Sequence, residues 1–150
     1  MRAADDSVRT VTMTADHSLV RLETLALVAI GGFAGSNLRF LATDLLADVP
    51  GILLVNAVGS AALAFLVYEA EYAGLVGRRS RVVFTTGFLS SLTTYSTFAV
   101  QTALAGDPLL VVGIVAGNYG LGFAGVVAGR SLARRVANGT GSAVGGGETA

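Results

Sequence analysis

Four runs of apolar residues, at about 22–43, 51–70, 82–104 and 109–130, divide the chain. Each approaches the roughly 20 residues an α-helix needs to cross the hydrocarbon core of a bilayer. The first, second and fourth are apolar nearly all round, whereas a soluble helix keeps one polar face. The pattern therefore predicts an all-α membrane protein of four transmembrane helices. Asp48-Val49-Pro50-Gly51 separates the first run from the second, and Asp107-Pro108 makes a tight turn between the third and fourth. The connections are too short to hold a further folded domain. Residues 1–20 read as a polar N-terminal segment, 21–136 as the membrane domain, and 137–150, rich in Gly, Ser and Thr, as a flexible tail. The first stretch carries Arg2, Asp5, Asp6, Arg9 and Asp16 and lacks a compact apolar core, so it does not read as a cleaved signal peptide.

Composition agrees with a bilayer. Of the 150 residues 53% are hydrophobic and 13% charged, with a mean hydropathy of +0.68, against a soluble average of roughly 25% charged. A formal net charge of zero argues against nucleic-acid binding through a basic face. There is no cysteine, which removes disulfides, thiolate metal sites and thiol nucleophiles. His17 is the one histidine and lies before the first run, so metalloenzyme and histidine-dependent triads lack their parts and no enzymatic role is expected. Small-xxx-small pairs, Gly31/Gly35, Gly113/Gly117 and Gly125/Gly129, allow close helix approach in lipid. Four thin helices enclose little interior, and a dimer is the natural way to bury these faces, although packing within one subunit would use the same glycines.

The arginines are distributed unevenly. Arg2, Arg9 and Arg21 precede the first run, Arg78, Arg79 and Arg81 lie between the second and third, and Arg130, Arg134 and Arg135 end the fourth. In a four-span topology these nine fall on one side, and the opposite connections carry only acids. The positive-inside rule then places both termini in the cytoplasm of a multi-pass plasma-membrane protein. Arg39, late in the first run, is expected to snorkel to the outer interface.

The third run departs from a lipid-facing helix. Thr85-Thr86-Gly87-Phe88-Leu89-Ser90-Ser91-Leu92-Thr93-Thr94-Tyr95-Ser96-Thr97-Phe98 is dense in hydroxyls, with Gln101 and Thr102 following. Ser and Thr side chains bond nearby carbonyls and loosen a helix, which predicts a helix broken at mid-membrane. Irregular backbone at that depth is tolerated only where it is buried in protein or lines a cavity. Freed carbonyls suit a small cation and hydroxyls suit an anion; the plainer alternative is polar glue between helices. Asn56, inside the second run, offers two N–H donors or an interhelical hydrogen bond. No Asp, Glu, Lys or His lies deep in any run; Glu23, Glu69 and Glu71 stand at run ends. Tyr95 and Phe98 share a helix face, and their electropositive ring edges can meet a small anion without trapping it.

At these residues the chain resembles the fluoride channels of bacteria and archaea called Fluc or CrcB. The resemblance covers roughly 31–130 and rests on Gly31-Gly32-x-x-Gly35-x-x-x-Arg39, Asn56-x-x-Gly59, and Thr86-Gly87-Phe88-x-x-x-Leu92-Thr93-Thr94-Tyr95-Ser96-Thr97-Phe98. It implies an antiparallel (inverted) dimer with two fluoride pores and passive export that lowers cytoplasmic fluoride. It also implies a structural sodium ion on the backbone carbonyls of Ser90 and Thr93. Pore roles fall on Asn56, Tyr95, Ser96 and Phe98, with Thr94 and Thr97 close by. Three departures stand out: Tyr95 where the family usually has Phe, Ser90-Ser91 where it has Gly-Gly, and Gln101 where it commonly has Glu. The Tyr95 phenol adds a hydroxyl to a ring edge expected to face the anion. A homodimer of oppositely inserted subunits needs a near-neutral orientation bias, so the arginine asymmetry predicts a homologous partner of opposite orientation. Two other readings remain open. A small four-helix multidrug exporter would need a mid-span acid in its first helix, which is missing. A non-transporting membrane assembly subunit would tolerate Ala and Leu throughout the polar part of the third run.

Overall fold

The computed structural model describes residues 2–145, with side chains from 19 to 139. Every element among them is helical: α1 Arg2–Leu46, α2 Asp48–Tyr72, α3 Arg78–Val82, a π-helix Val83–Leu89, a short turn α4 Ser90–Leu92, α5 Tyr95–Leu104 and α6 Pro108–Gly145. Three helices are long and apolar enough to cross a membrane: α1 over Leu19–Leu46, α2, and α6 over Pro108–Gly139. The third apolar run is not one helix. It is a chain of short pieces, the longest being the ten residues of α5.

The connections are tighter than expected. The Asp48-Val49-Pro50-Gly51 break reduces to one residue, Ala47, at φ 62°. Pro50 lies inside the first turn of α2, where its missing N–H removes no helical bond. At the other tight junction Asp107 caps α6 with its side chain, accepting from Leu109 N at 2.9 Å, while Pro108 opens the helix. α6 continues to Gly145, through the segment read as a tail; residues 146–150 of that segment lie outside the described residues.

The 73–77 connection is held by a buried carboxylate. Glu69, 1% exposed, accepts at Oε1 from the amides of Leu75 and Val76. Its Oε2 faces Arg81 at 3.4 Å, and Arg81 also donates to the Val76 carbonyl at 2.8 Å. Nearby, Arg79 pairs with Glu23 at 2.6 Å, and Arg130 and Arg134 lie over the rings of Tyr68 and Tyr72. Glu23 of α1, the end of α2, the 78–81 arginines and the arginines of α6 thus meet at one end of the bundle.

Packing relies on glycine contact. A Cβ on Gly87 would stand 2.6 Å from the Val28 carbonyl oxygen, so α1 and the π-helix approach backbone to backbone. A Cβ on Gly125 would stand 2.6 Å from the Ala57 carbonyl oxygen, and one on Gly129 would overlap that of Ala61. The Gly125/Gly129 pair is therefore used inside the subunit, between α2 and α6, as Gly31 and Gly35 are between α1 and the third run. Gly113, by contrast, has open space around it. The buried cluster is small: Ile52 and Val55 of α2, Leu89, Leu92 and Phe98 of the third run, and Ile114 of α6. Large apolar side chains instead cover the outside, among them Phe33 at 74%, Phe40 at 71% and Leu109 at 80% exposed. An exterior of that kind is what lipid solvates.

Candidate functional site

The third run leaves helical geometry at Thr93 and Thr94, whose backbones are extended at φ −77°, ψ 155° and φ −150°, ψ 123°. Side chains from two other helices take over. Asn56 of α2 accepts from Thr94 N at Oδ1 (2.9 Å) and donates from Nδ2 to the Thr94 carbonyl (3.2 Å), pairing with that peptide much as a neighbouring strand would. The second Nδ2 hydrogen goes to Asn118 Oδ1 of α6 at 2.9 Å, and Asn118 donates in turn to the Ile114 carbonyl at 3.2 Å. One turn beyond Asn56, Gly59 leaves room for the Thr93 methyl, which a Cβ there would overlap. The Asn56-x-x-Gly59 spacing thus fits both residues of the interruption.

Thr94 also caps α5. Its Oγ1 accepts from Thr97 N at 3.2 Å, donates to Thr97 Oγ1 at 3.1 Å and lies 3.2 Å from Ser96 Oγ. This is an N-cap of the ordinary type, placed inside an apolar bundle. It leaves the positive end of the α5 dipole at Tyr95.

Arg39 behaves differently from its sequence expectation. It is half-buried and donates from Nη1 to the Thr93 carbonyl at 3.3 Å instead of reaching only for the interface. The interruption explains why: a continuing helix would return Thr97 N to the Thr93 carbonyl, but Thr97 N is taken by Thr94 Oγ1. Likewise Thr94 N, the ordinary partner of the Ser90 carbonyl, goes to Asn56. Two hard oxygen donors released from helical bonding fit a cation such as sodium in chemistry, with the Thr93 oxygen shared with the Arg39 guanidinium. No cluster of three His, Cys, Asp or Glu side chains suited to a metal occurs among the described residues.

Beside the interruption lies a cavity of about 440 Å³ between α2, the third run and α6. Of the expected pore residues it gathers Asn56, Thr94, Tyr95 and Phe98, and it also borders Ser90 and Thr93. Ser96 and Thr97 are not in its wall; they serve the α5 cap. Phe98 is buried at 8% exposure, flanked by Tyr95 at 5.7 Å between ring centroids and by Tyr119 at 6.2 Å and 87°. Tyr95 itself is 75% exposed. Sequence reasoning missed Asn118, Tyr119 and Ser60, all in the wall. The signal for Asn118 was the one that marked Asn56, an amide in the middle of an apolar run.

Residues 26–130 match the family described as CrcB-like protein, Camphor Resistance (CrcB). The chain belongs to the CrcB family. Its relatives include the fluoride-specific ion channel FluC 1 of Haloarcula marismortui, 49% identical over 127 residues that cover 85% of this chain and 98% of that one. FluC 2 of Halobacterium salinarum is 47% identical over 110 residues, 72% of this chain and 84% of the relative. FluC 2 of Methanosarcina acetivorans is 38% identical over 118 residues, 78% and 92% of the two chains. The matched span of this CrcB-family chain begins early in the first membrane helix and ends at Arg130, so it takes in the whole cavity.

Proposed function

We propose that this chain is a subunit of a fluoride-selective ion channel that lowers cytoplasmic fluoride by passive export. One observation carries the reading: a cavity walled by hydroxyls, amides and ring edges lies beside an interrupted helix, in a chain 49% identical to a fluoride-specific channel. External HF crosses the bilayer, dissociates inside, and the anion leaves down its gradient, helped by an inside-negative potential. The cavity wall has no fixed cation that would hold the ion in a deep well; Ser, Tyr and Asn donors offer several modest sites, which conduction requires. The α5 N-terminus adds favourable potential for an anion, and the electropositive edge of Phe98 lies between two tyrosines.

On this reading the interruption at Thr93–Thr94 is at mid-membrane, and the third run with its flanks makes the fourth crossing. The carbonyls of Ser90 and Thr93 would hold a structural sodium ion, whose charge would offset the dipoles of the freed carbonyls. The channel is an antiparallel dimer in which the cavity of each subunit is closed by the other. Nine of ten arginines on one side of the membrane favour a homologous partner of opposite orientation, with both termini of this chain cytoplasmic. Comparable periplasmic and cytoplasmic signals from C-terminal reporter fusions of this chain alone would sink the fixed orientation. Membership of the CrcB family favours neither the multidrug exporter nor the non-transporting subunit, and the exporter still lacks its mid-span acid.

The deciding experiment is fluoride efflux from liposomes, followed with a fluoride electrode, for this chain alone and with its homologous partner. Efflux in either preparation supports the channel, and efflux only with the partner supports the mixed dimer. Folded protein that passes no fluoride in both would remove the proposal.

A further inference from the structure

The polar hydrogens that face the cavity can be followed one at a time. Asn56 has two on its amide, and both are bonded, to the Thr94 carbonyl and to Asn118 Oδ1. The hydroxyl hydrogens of Thr85, Ser90 and Thr93 each go four residues back, to the carbonyls of Arg81, Thr86 and Leu89. That of Thr94 goes to Thr97 Oγ1. Asn118 gives one amide hydrogen to the Ile114 carbonyl. Four hydrogens in the wall remain without an acceptor among the described residues: the second amide hydrogen of Asn118 and the hydroxyls of Ser60, Tyr95 and Tyr119.

Ser60 is unusual in this set. A serine inside a helix ordinarily turns its hydroxyl onto the carbonyl four residues back, as Ser90 and Thr93 do, yet Ser60 Oγ makes no such bond. It lies instead toward α6, where a Cβ added to Gly122 would be 3.7 Å from it.

An anion is held by donors whose hydrogens are unclaimed, because taking one already bonded leaves its former acceptor unsatisfied. Charge-assisted bonds from hydroxyls are short and roughly twice as strong as neutral ones. A phenol, with a pKa near 10, is a better donor than an aliphatic alcohol. We infer that Ser60 and Tyr119 are anion-binding residues of this cavity, acting with Tyr95 and the remaining Asn118 N–H, and that Asn56 is a positioning residue acting through Thr94. The inference rests on the fluoride-channel reading above. The ligand it fits is a small, strongly hydrated, monovalent anion. Donors reach it from α2, α5 and α6, and the two tyrosines border Phe98 from either side.

Ser60→Ala and Tyr119→Phe each delete one oxygen and disturb no hydrogen bond within the subunit. In the liposome efflux assay each is expected to slow fluoride efflux about tenfold, the loss of roughly one hydrogen bond to a charged partner. Their melting temperatures in detergent are expected to stay at the wild-type value. Asn56→Ala is expected to lose efflux and melting temperature together. Wild-type efflux rates in both Ser60→Ala and Tyr119→Phe would overturn the assignment, as would a fall in melting temperature that accounts for their loss of rate. Wild-type protein that is folded and passes no fluoride would instead overturn the channel reading, and this assignment with it.

Discussion

Replacing Asn56 by Ala removes the clamp on the interruption, and the cost follows from the bonds it makes. Thr94 is 8% exposed, so its N–H and C=O have no water to turn to once the carboxamide is gone. Leaving a buried polar group unsatisfied costs about 1–3 kcal/mol, so two such groups together cost about 2–6 kcal/mol. Asn118 loses the partner of its Oδ1 in the same step, but it is only half-buried and adds less. Asn118→Ala alone deletes one donor–acceptor pair of about 1 kcal/mol and leaves the Asn56–Thr94 pairing in place. The two residues touch, so the double variant should fall short of the sum of the singles by about 1 kcal/mol. Asn56→Asp retains an acceptor for Thr94 N but turns a second oxygen toward the Thr94 carbonyl, and is expected to be at least as damaging as Ala. The chain has no tryptophan, so unfolding in mixed micelles is best followed by far-UV circular dichroism. An Asn56→Ala variant within about 0.5 kcal/mol of wild type, the ordinary range of a neutral surface change, would refute the clamp.

Other outcomes follow from the packing. Gly125→Ala puts a methyl 2.6 Å from the Ala57 carbonyl oxygen; α2 and α6 must separate, costing about 1–3 kcal/mol, whereas Gly113→Ala meets open space and should be neutral in the same unfolding assay. Gln101 has both amide atoms buried with no hydrogen-bond partner, so Gln101→Met should leave stability unchanged or raise it by about 1–3 kcal/mol; a clear loss would mean that a neighbouring subunit holds the amide. Glu69→Ala frees the amides of Leu75 and Val76 and the Arg81 guanidinium, and limited proteolysis should cut the 73–77 connection faster than in wild type.

The apolar runs carry the first, second and last spans almost unaided, because an all-round apolar helix has few alternatives to a bilayer. The density of hydroxyls around Thr93 marks the stretch where the chain departs from a single helix. The geometry there was not legible. Whether Ser90 or Thr94 carries the departure depends on which carbonyls lose their amides, and that is decided by Asn56, 38 residues away from Thr94. Asn118 was visible by the same sign as Asn56 and passed unread, since a lone amide does not say what it faces. The sequence places Glu69 only at the end of a run, and does not show that it is buried under a connection that it organises. Arg39 looked like an interfacial cation, because sequence shows the length of its side chain and not the carbonyl within its reach.

These residues share a physical logic. A helix interrupted in an apolar environment exposes carbonyls and amides that neither lipid nor water can satisfy, at a cost of several kcal/mol each. In this chain side chains meet most of them: Asn56 both groups of Thr94, Arg39 the Thr93 carbonyl, and Thr94 Oγ1 the Thr97 amide. Because the interruption is met by one carboxamide, one alcohol and one guanidinium drawn from α2, the third run and α1, the polar hydrogens left over are few. They belong to residues on the cavity side of α2, α5 and α6. A wall with many free donors would bind a hydrated anion and keep it; a wall with none would exclude it. On the proposed channel reading, the interruption bears on how strongly the cavity would hold an ion as well as on where the cavity lies, and the two roles are separable by substitution because different residues carry them.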